Sequence, residues 1–325
     1  MIKSHRIKFF GLFLLHKLNR RYLAVNFDPV NACNLRCKMC YFTDKDYVKK
    51  LKGVFPANEL PLLGKAVLKR ALKFQIGCGT EPTLYKDLDK VFLLAKEYKV
   101  PHISLTTNGN LITEDKLKLW VECGLTEVII SLHGVYRETY EEMMKGDFDK
   151  FQSALEAITA VKKEFPQLAL RINYTFNEDN FEQLKDFFKV YGQHAIDVIQ
   201  LRPIKSMGNT EYQNLSMDKV IPIYESVLNV FKQESKLRKV TLLATPPERL
   251  STPKSESSVI TNYTYCYISP TFFWRDGFDW KNESFNHFAK RTNWSSELLG
   301  LSMFPKEKLS HLKSESLNYS VDVNS

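Results

Sequence analysis

The sequence predicts an α/β fold in which parallel strands alternate with helices. Six short, β-rich apolar runs lie between residues 22 and 201, and a helical pattern follows each of them. Strands joined through helices run parallel, because the crossover returns the chain to the edge where it started. Six units are too few for a closed eight-stranded barrel. An open, partial barrel and a doubly wound sheet therefore both fit, and both collect functional residues at the carboxyl ends of the strands.

Each element is predicted from its own residues. Strands are predicted at residues 22–27, 74–77, 102–105, 127–131, 169–174 and 197–201. Apolar residues recur at helical spacing in the intervening segments, which are residues 58–72, 85–98, 113–122, 148–164, 180–191 and 217–234. Thr113 is a suitable N-cap for the third helix, and Glu114 and Asp115 follow it near the positive end of the helix dipole.

The composition divides the chain into four segments. Residues 1–21 form a basic, amphipathic N-terminal segment, and residues 22–240 hold the regular strand–helix alternation. Residues 241–304 form a C-terminal capping extension, because the alternation ends near residue 240 and 11 of the 32 residues from 263 to 294 are aromatic. Residues 305–325 are polar and are predicted to be a frayed tail.

The charge of the chain is concentrated at its N-terminus. The net charge is +9, and residues 1–27 hold six basic residues and no acidic one. The remainder has 40 basic residues against 37 acidic ones, so a nucleic-acid partner is not predicted. No apolar run approaches the length of about 18 residues that spans a bilayer, and no cleavage site follows the first apolar run. We therefore predict that the chain is not exported.

Three of the six cysteines lie close together, directly after the first predicted strand. Cys33, Cys37 and Cys40 fall within eight residues, whereas Cys78, Cys123 and Cys266 are far apart. Thiolates suit iron–sulfur clusters or zinc, and such a group of thiols indicates a reducing compartment. A closed cluster needs a fourth thiolate, and none is nearby. One metal position would remain open, which is typical of a catalytic site.

The cysteine string resembles the CxxxCxxC motif of the radical S-adenosylmethionine (radical SAM) enzymes. Further segments resemble that family in order at successive strand ends: residues 77–82 (GCGTEP, similar to the GGEP motif), 105–109, 130–134 and 172–177. The string Cys266-Tyr267-Ile268, followed by Asp276-Gly277, is similar to the start of the C-terminal SPASM extension of some members. The auxiliary-cluster cysteines of that extension are missing from the sequence.

The resemblance implies a partial (β/α)6 TIM-like barrel with an aromatic-rich C-terminal extension. It implies one [4Fe–4S] cluster on Cys33, Cys37 and Cys40. It also implies a SAM site, for which the candidate residues are Gly79, Thr80, Glu81, Asn108, Ser131, Asn173 and Arg202. Glu81 is expected to accept hydrogen bonds from the methionyl ammonium group, and Ser131 and Asn173 to reach the carboxylate or ribose.

The implied reaction is reductive cleavage of SAM to a 5′-deoxyadenosyl radical that abstracts hydrogen from a substrate. A reductant such as flavodoxin or ferredoxin is implied, together with a cytoplasmic location. The substrate stays open between a small metabolite, a peptide and a lipid-linked precursor. The alternative is a non-catalytic iron–sulfur or zinc protein that acts as a sensor or binding module.

Two segments outside the predicted barrel each allow two roles. The apolar residues of 7–18 and their basic neighbours predict an amphipathic helix. That helix either packs under the barrel or lies on an anionic membrane at its cytoplasmic face. The aromatic residues of 263–294 are expected both to form a hydrophobic core and to close the open side of the barrel around the substrate.

Overall fold

The computed structural model of the protein describes residues 4–204, 210, 212, 215–247, 250, 260–275 and 277–303. The polar tail predicted at residues 305–325, the first three residues of the N-terminal segment, and Asp276 lie outside the described residues. Among the described helices, none combines the length and the apolar character needed to cross a bilayer.

The described residues build one open sheet with nine strands, in the order β7-β6-β5-β4-β3-β2-β1-β8-β9. All neighbouring strands are parallel except β8 and β9, which are antiparallel. The strands are β1 (Leu23–Phe27), β2 (Ala71–Ile76), β3 (His102–Thr107), β4 (Glu127–Leu132), β5 (Ala169–Phe176), β6 (Val198–Pro203), β7 (Thr241–Ala244), β8 (Tyr265–Ser269) and β9 (Phe272–Phe273).

The described residues also form α-helices between the strands and at both ends of the chain. They are α1 (His5–Lys17), α2 (Lys45–Lys50), α3 (Leu60–Val67), α4 (Leu88–Glu97), α5 (Glu114–Glu122), α6 (Arg137–Met144), α7 (Phe148–Glu164), α8 (Phe187–Tyr191), α9 (Ile221–Leu237), α10 (Thr261–Thr264), α11 (Phe285–Arg291) and α12 (Trp294–Met303). The Thr113 side chain accepts a hydrogen bond from the backbone N–H of Lys116, which confirms the predicted N-cap of α5.

The two faces of each central strand differ in chemistry. In β2, Phe74 and Ile76 are fully buried in the core beneath the helices, whereas Lys73 and Gln75 alternate with them on the other face. On the face away from the helices, β3 and β5 carry mainly polar side chains, and β4 carries Glu127 and Ser131 with the apolar Ile129 between them. This face is the concave side of the partial barrel.

The fold class predicted from the sequence is confirmed, and the six predicted strands correspond to β1 to β6. The alternation continues further than predicted, because β7 begins at Thr241 and pairs with β6. The sequence analysis also missed β8 and β9, whose residues lie in the aromatic-rich string. The four segment boundaries given above stay predictions.

The C-terminal extension joins the sheet at the β1 edge. Strand β8 pairs with β1 in parallel, so a segment about 240 residues away along the chain becomes the neighbour of the first strand. Behind it, the guanidinium of Arg275 lies over the rings of Tyr263, Trp274 and Trp294, at 5.4, 5.5 and 4.6 Å from their centroids. The aromatic residues therefore build a core for the extension.

Helix α1 packs against α12. Phe9 and Leu12 are buried, and the Phe9 ring meets the edge of Tyr263 at a centroid distance of 5.5 Å. The helix also carries apolar residues that face away from the protein, with Ile7 57% and Leu14 43% exposed. One side of α1 thus belongs to the packed protein, and the other side is apolar and exposed.

Candidate active site

The loop after β1 carries the three clustered cysteines. Cys33, Cys37 and Cys40 are half-buried, and the Cys40 backbone N–H donates to the Cys37 carbonyl at 2.9 Å. Leu35 and Met39 between them are buried in the core, so two apolar side chains anchor the loop. The thiols are thereby held at the carboxyl end of the first strand, where the sequence predicts the site.

The pKa shifts of these thiols fit a site that holds a positively charged metal group. Burial raises the pKa of Cys33, Cys37 and Cys40. The charges of Glu81 and Cys40 raise the pKa of Cys33 further, and those of Cys40 and Cys33 raise the pKa of Cys37. Thiolates in this loop therefore need positive charge nearby, and coordinated metal supplies it. Among the described residues, no three side chains of His, Cys, Asp or Glu converge where one ion could sit. A four-iron cluster takes each thiolate on a different iron, so such convergence is not required.

The cysteine loop is tied to the segment after β2. The Glu81 backbone N–H donates to the Ala32 carbonyl at 2.9 Å, and the Tyr41 hydroxyl donates to the Gly79 carbonyl. At the end of β3, the Asn108 side chain donates to Asn34 Oδ1 at 2.8 Å. The structure therefore brings Gly79, Glu81 and Asn108 together around the cysteine loop.

Asp28 organises this junction, and the sequence analysis did not single it out. Its carboxylate is fully buried and accepts hydrogen bonds from Cys78 N at 2.7 Å, Gly79 N at 3.0 Å, Thr80 Oγ1 at 3.0 Å and Tyr267 Oη at 2.8 Å. Burial raises the pKa of this carboxyl, and the four donors oppose that rise. The only sequence signal was an acidic residue directly after a buried strand.

The Glu81 carboxylate is also buried and is held by the protein. Oε1 accepts hydrogen bonds from Thr83 N, Thr83 Oγ1 and Thr107 Oγ1, at 3.1, 2.6 and 2.8 Å. Oε2 accepts one from Asn108 N at 2.9 Å. Glu81 thus joins the ends of β2 and β3. Its predicted contact with the methionyl ammonium stays a prediction.

The remaining predicted site residues lie on the concave side of β4, β5 and β6. Ser131 and Asn173 are neighbours in register, and Thr175 beside Asn173 is paired with Arg202. Arg202 is exposed and donates to Gln200 Oε1 at 2.8 Å. Their contacts with SAM stay predictions.

Several buried polar atoms near these residues have no hydrogen-bond partner within the described part of the chain. They are Ser104 Oγ and Thr106 Oγ1 on β3, His133 Nδ1 after β4, and Asn173 Oδ1 on β5. Burial lowers the pKa of His133 to about 4, so its imidazole is neutral near pH 7. Buried polar groups are normally paired. These atoms therefore fit a site whose polar ligand supplies the partners, and the sequence analysis missed three of the four.

The strand-end loop with three thiols, joined to the segment after β2, defines the class of protein as an iron–sulfur enzyme of the SAM-binding kind. The comparison with protein families agrees. The family model described as "Radical SAM superfamily" matches residues 28–190, half of the chain, and the chain belongs to this superfamily. The resemblance inferred from the motifs is thereby confirmed.

Curated relatives resemble the chain over part of its length. A probable GTP 3′,8-cyclase of Sulfurisphaera tokodaii is 28% identical over 199 residues, covering 59% of this chain and 61% of that protein. An Fe-coproporphyrin III synthase of Methanosarcina barkeri is 32% identical over 179 residues, covering 53% of this chain and 42% of that protein. The chain thus spans less than two thirds of the length of either relative.

A solved structure shares the fold. The crystal structure of Streptococcus suis SuiB bound to S-adenosylmethionine superimposes with a TM-score of 0.63 at 17% identity, covering 90% of this chain and 70% of that chain. At this identity the likeness concerns the fold alone. It confirms the open parallel sheet as the architecture.

Proposed function

We propose that this protein cleaves SAM reductively and uses the 5′-deoxyadenosyl radical to abstract hydrogen from its substrate. The observation that carries the proposal is the direct bonding between the cysteine loop and the segment after β2, through Glu81 N to the Ala32 carbonyl and Tyr41 to the Gly79 carbonyl. These hydrogen bonds hold the candidate cluster ligands next to the segment that is suited to bind the methionyl group. The reductant is a small electron carrier such as flavodoxin or ferredoxin.

Cys33, Cys37 and Cys40 would hold a single [4Fe–4S] cluster. When bound, the cluster supplies the electron for SAM cleavage, and its one iron without a thiolate is open to SAM. The other cysteines do not suit a second cluster. Cys78 follows β2, Cys123 ends α5, and Cys266 is buried in β8.

The residues predicted to bind SAM divide into two groups. Gly79 and Thr80 are fixed by Asp28, which presents their backbone towards the cysteine loop. Glu81 Oε2 accepts one hydrogen bond, from Asn108 N, and a carboxylate oxygen has a second lone pair that can accept from an ammonium group. The second group contains the candidates for the carboxylate and ribose of SAM, which are Asn108, Ser131, Asn173 and Arg202.

The experiment compares cysteine variants after anaerobic reconstitution. Cys33→Ala, Cys37→Ala and Cys40→Ala should lose iron and should form no 5′-deoxyadenosine from SAM with dithionite. The matched control Cys123→Ala should bind about four irons per chain, the cubane stoichiometry. Full iron loading of Cys37→Ala would overturn the cluster assignment. An iron-loaded wild-type protein that forms no 5′-deoxyadenosine would favour the non-catalytic alternative.

A second proposal concerns the exposed side of α1, which we infer binds an anionic membrane surface peripherally. Ile7, Phe10, Leu14 and Leu18 follow at helical spacing and are 57, 47, 43 and 66% exposed. Residues 1–27 contain six basic residues and no acidic one, so the flanks of the apolar stripe complement anionic headgroups. Each basic residue near such a surface contributes about 1 kcal/mol. The contact would lie at the cytoplasmic face.

Vesicle co-sedimentation tests this second proposal. The full chain should bind phosphatidylglycerol-containing vesicles and not pure phosphatidylcholine vesicles. The double variant Phe10→Glu/Leu14→Glu should lose that binding. The control Leu237→Glu, which changes a residue that is 77% exposed at the end of α9, should keep it. Failure of the wild-type protein to bind anionic vesicles would refute the proposal. Dimerisation through α1 would then account for the exposed apolar side.

A further inference from the structure

The segment that contains the cysteine loop and α2 carries a basic surface. Residues 36–52 hold six basic residues and two acidic ones, a net charge of +4, whereas residues 28–325 together carry 40 basic and 37 acidic residues. Lys38 pairs with Glu142, and Lys49 pairs with Asp46 at 3.0 Å. Within the described part of the chain, the other three lysines of this segment form no ion pair. The basic surface consists of the exposed side chains Arg36, Lys45, Lys49, Lys50 and Lys52.

Contacts at the start of α2 hold this surface next to the cysteine loop. The Cys40 carbonyl accepts hydrogen bonds from Thr43 N and Thr43 Oγ1, at 2.9 and 2.8 Å. Tyr41, directly after Cys40, meets the ring of Tyr47 in α2 edge-on at a centroid distance of 5.3 Å. One ring contact therefore connects α2 to the residue beside a candidate cluster ligand.

The chain after α2 returns to the start of the cysteine loop. Asn31 N donates to the Gly53 carbonyl at 2.9 Å, and Asn31 Nδ2 donates to the Lys52 carbonyl at 3.3 Å. Asn31 lies two residues before Cys33, whose carbonyl accepts from the Arg36 guanidinium at 2.8 Å. The basic surface is therefore fixed at both ends to the loop that carries the three cysteines.

The middle of the basic surface is exposed and partly apolar. None of the residues of α2 is buried. Tyr47 is 42% exposed and Val54 is 62% exposed, so two apolar side chains lie among the lysines. Protein interfaces combine an apolar centre with a polar rim, and electron-transfer complexes bury less than about 1,200 Å² in total. A small basic surface with an apolar centre is therefore suited to a small acidic protein.

We propose that the basic surface docks the electron donor, and that this donor is an acidic flavoprotein of the flavodoxin type. The proposal rests on the radical SAM function proposed above, which requires an electron. Acidic side chains around the flavin would pair with the lysines and steer the encounter. The apolar edge of the flavin ring would contact Tyr47 and Val54, which favours a flavin over the iron–sulfur centre of a ferredoxin. One electron passes from the reduced flavin, which is oxidised, to the cluster on the adjacent loop, and no bond forms or breaks.

Binding of a purified flavodoxin to the full reconstituted protein tests this proposal by biolayer interferometry, at low salt and without SAM. The triple variant Lys45→Gln/Lys50→Gln/Lys52→Gln should weaken binding at least tenfold, about 1.4 kcal/mol. Its association rate should also depend less on salt, because rim charges act mainly on the encounter. The variant Lys45→Arg/Lys50→Arg/Lys52→Arg keeps the charge and should retain binding. In the glutamine variant, the ratio of 5′-deoxyadenosine formed with reduced flavodoxin to that formed with dithionite should fall.

The matched control is Lys232→Gln/Lys236→Gln/Lys239→Gln, which removes three exposed lysines in and after α9, the helix that contacts β7 at the far edge of the sheet. It should change the affinity by less than about twofold. Absence of flavodoxin binding to the wild-type protein would overturn the proposal, and so would equal affinities of the two glutamine variants. Tighter binding of a ferredoxin than of flavodoxin would overturn the assignment to a flavoprotein. A wild-type protein that binds flavodoxin but forms no 5′-deoxyadenosine with dithionite would instead refute the proposed function.

Discussion

Replacing Asp28 by asparagine exchanges one acceptor oxygen for an amide donor at nearly unchanged size. Oδ1 accepts from Cys78 N and Thr80 Oγ1, and Oδ2 accepts from Gly79 N and Tyr267 Oη. Whichever way the amide is oriented, its NH₂ group therefore faces one backbone N–H, which can only donate, and one hydroxyl, which can turn and accept. The variant loses the short hydrogen bond of one backbone N–H, in a position that is fully buried.

The magnitude follows from the number of donors left without an acceptor. A buried donor of this kind costs about 1–3 kcal/mol when it loses its acceptor. An amide is easier to bury than a carboxylate, which offsets part of the loss. We expect the free energy of unfolding to fall by about 1–2 kcal/mol. Since both N–H groups belong to the segment that leads to Glu81, SAM affinity should fall at least tenfold, about 1.4 kcal/mol.

Urea unfolding and equilibrium dialysis against SAM, both under anaerobic conditions, measure the two effects. Tyr267→Phe removes one donor and leaves the three from residues 78–80 in place, so its losses should be smaller than those of Asp28→Asn. Asp115→Asn, an exposed substitution in α5, is the control and should change stability by no more than about 1 kcal/mol. If Asp28→Asn binds SAM as tightly as the wild type, Asp28 does not position this segment.

Two further predictions concern the backbone and the pH dependence of stability. Gly77 has φ of +83°, and an added Cβ would lie 2.3 Å from the Thr106 carbonyl oxygen. Gly77→Ala should therefore lower the free energy of unfolding by more than the roughly 1–3 kcal/mol that backbone strain alone would cost. Gly11→Ala, in the middle of α1 where an added Cβ meets nothing, should raise the free energy of unfolding by about 0.5–1 kcal/mol. Equal urea midpoints for the two variants would contradict this prediction. The pKa of Glu127 is lowered from its ordinary 4.5, so its contribution to stability is present above that value and is lost on acidification. The stability deficit of Glu127→Gln at pH 7 should shrink as the pH falls below 4.5, and a deficit that does not change with pH would disprove this prediction.

The sequence alone determined the strand–helix alternation and the three-cysteine loop. Both are local patterns, since apolar periodicity decides the type of each element and the spacing of Cys33, Cys37 and Cys40 lies within one loop. The order of the strand-end motifs then predicted the family, which the match over residues 28–190 confirms. The strand β7 was missed because its four residues are too short a run for the periodicity to reveal.

The tertiary structure decided what these local elements contact. Asp28 could not be recognised from the sequence, because its fourth donor, Tyr267, comes from a strand that reaches β1 only in the folded sheet. Likewise, the Glu81 carboxylate accepts from Thr107 and Asn108 only because β2 and β3 pair in the folded sheet. The physical reason is the same in both cases. Burial and charge depend on neighbours brought together by folding, and neither is written in the spacing of residues along the chain.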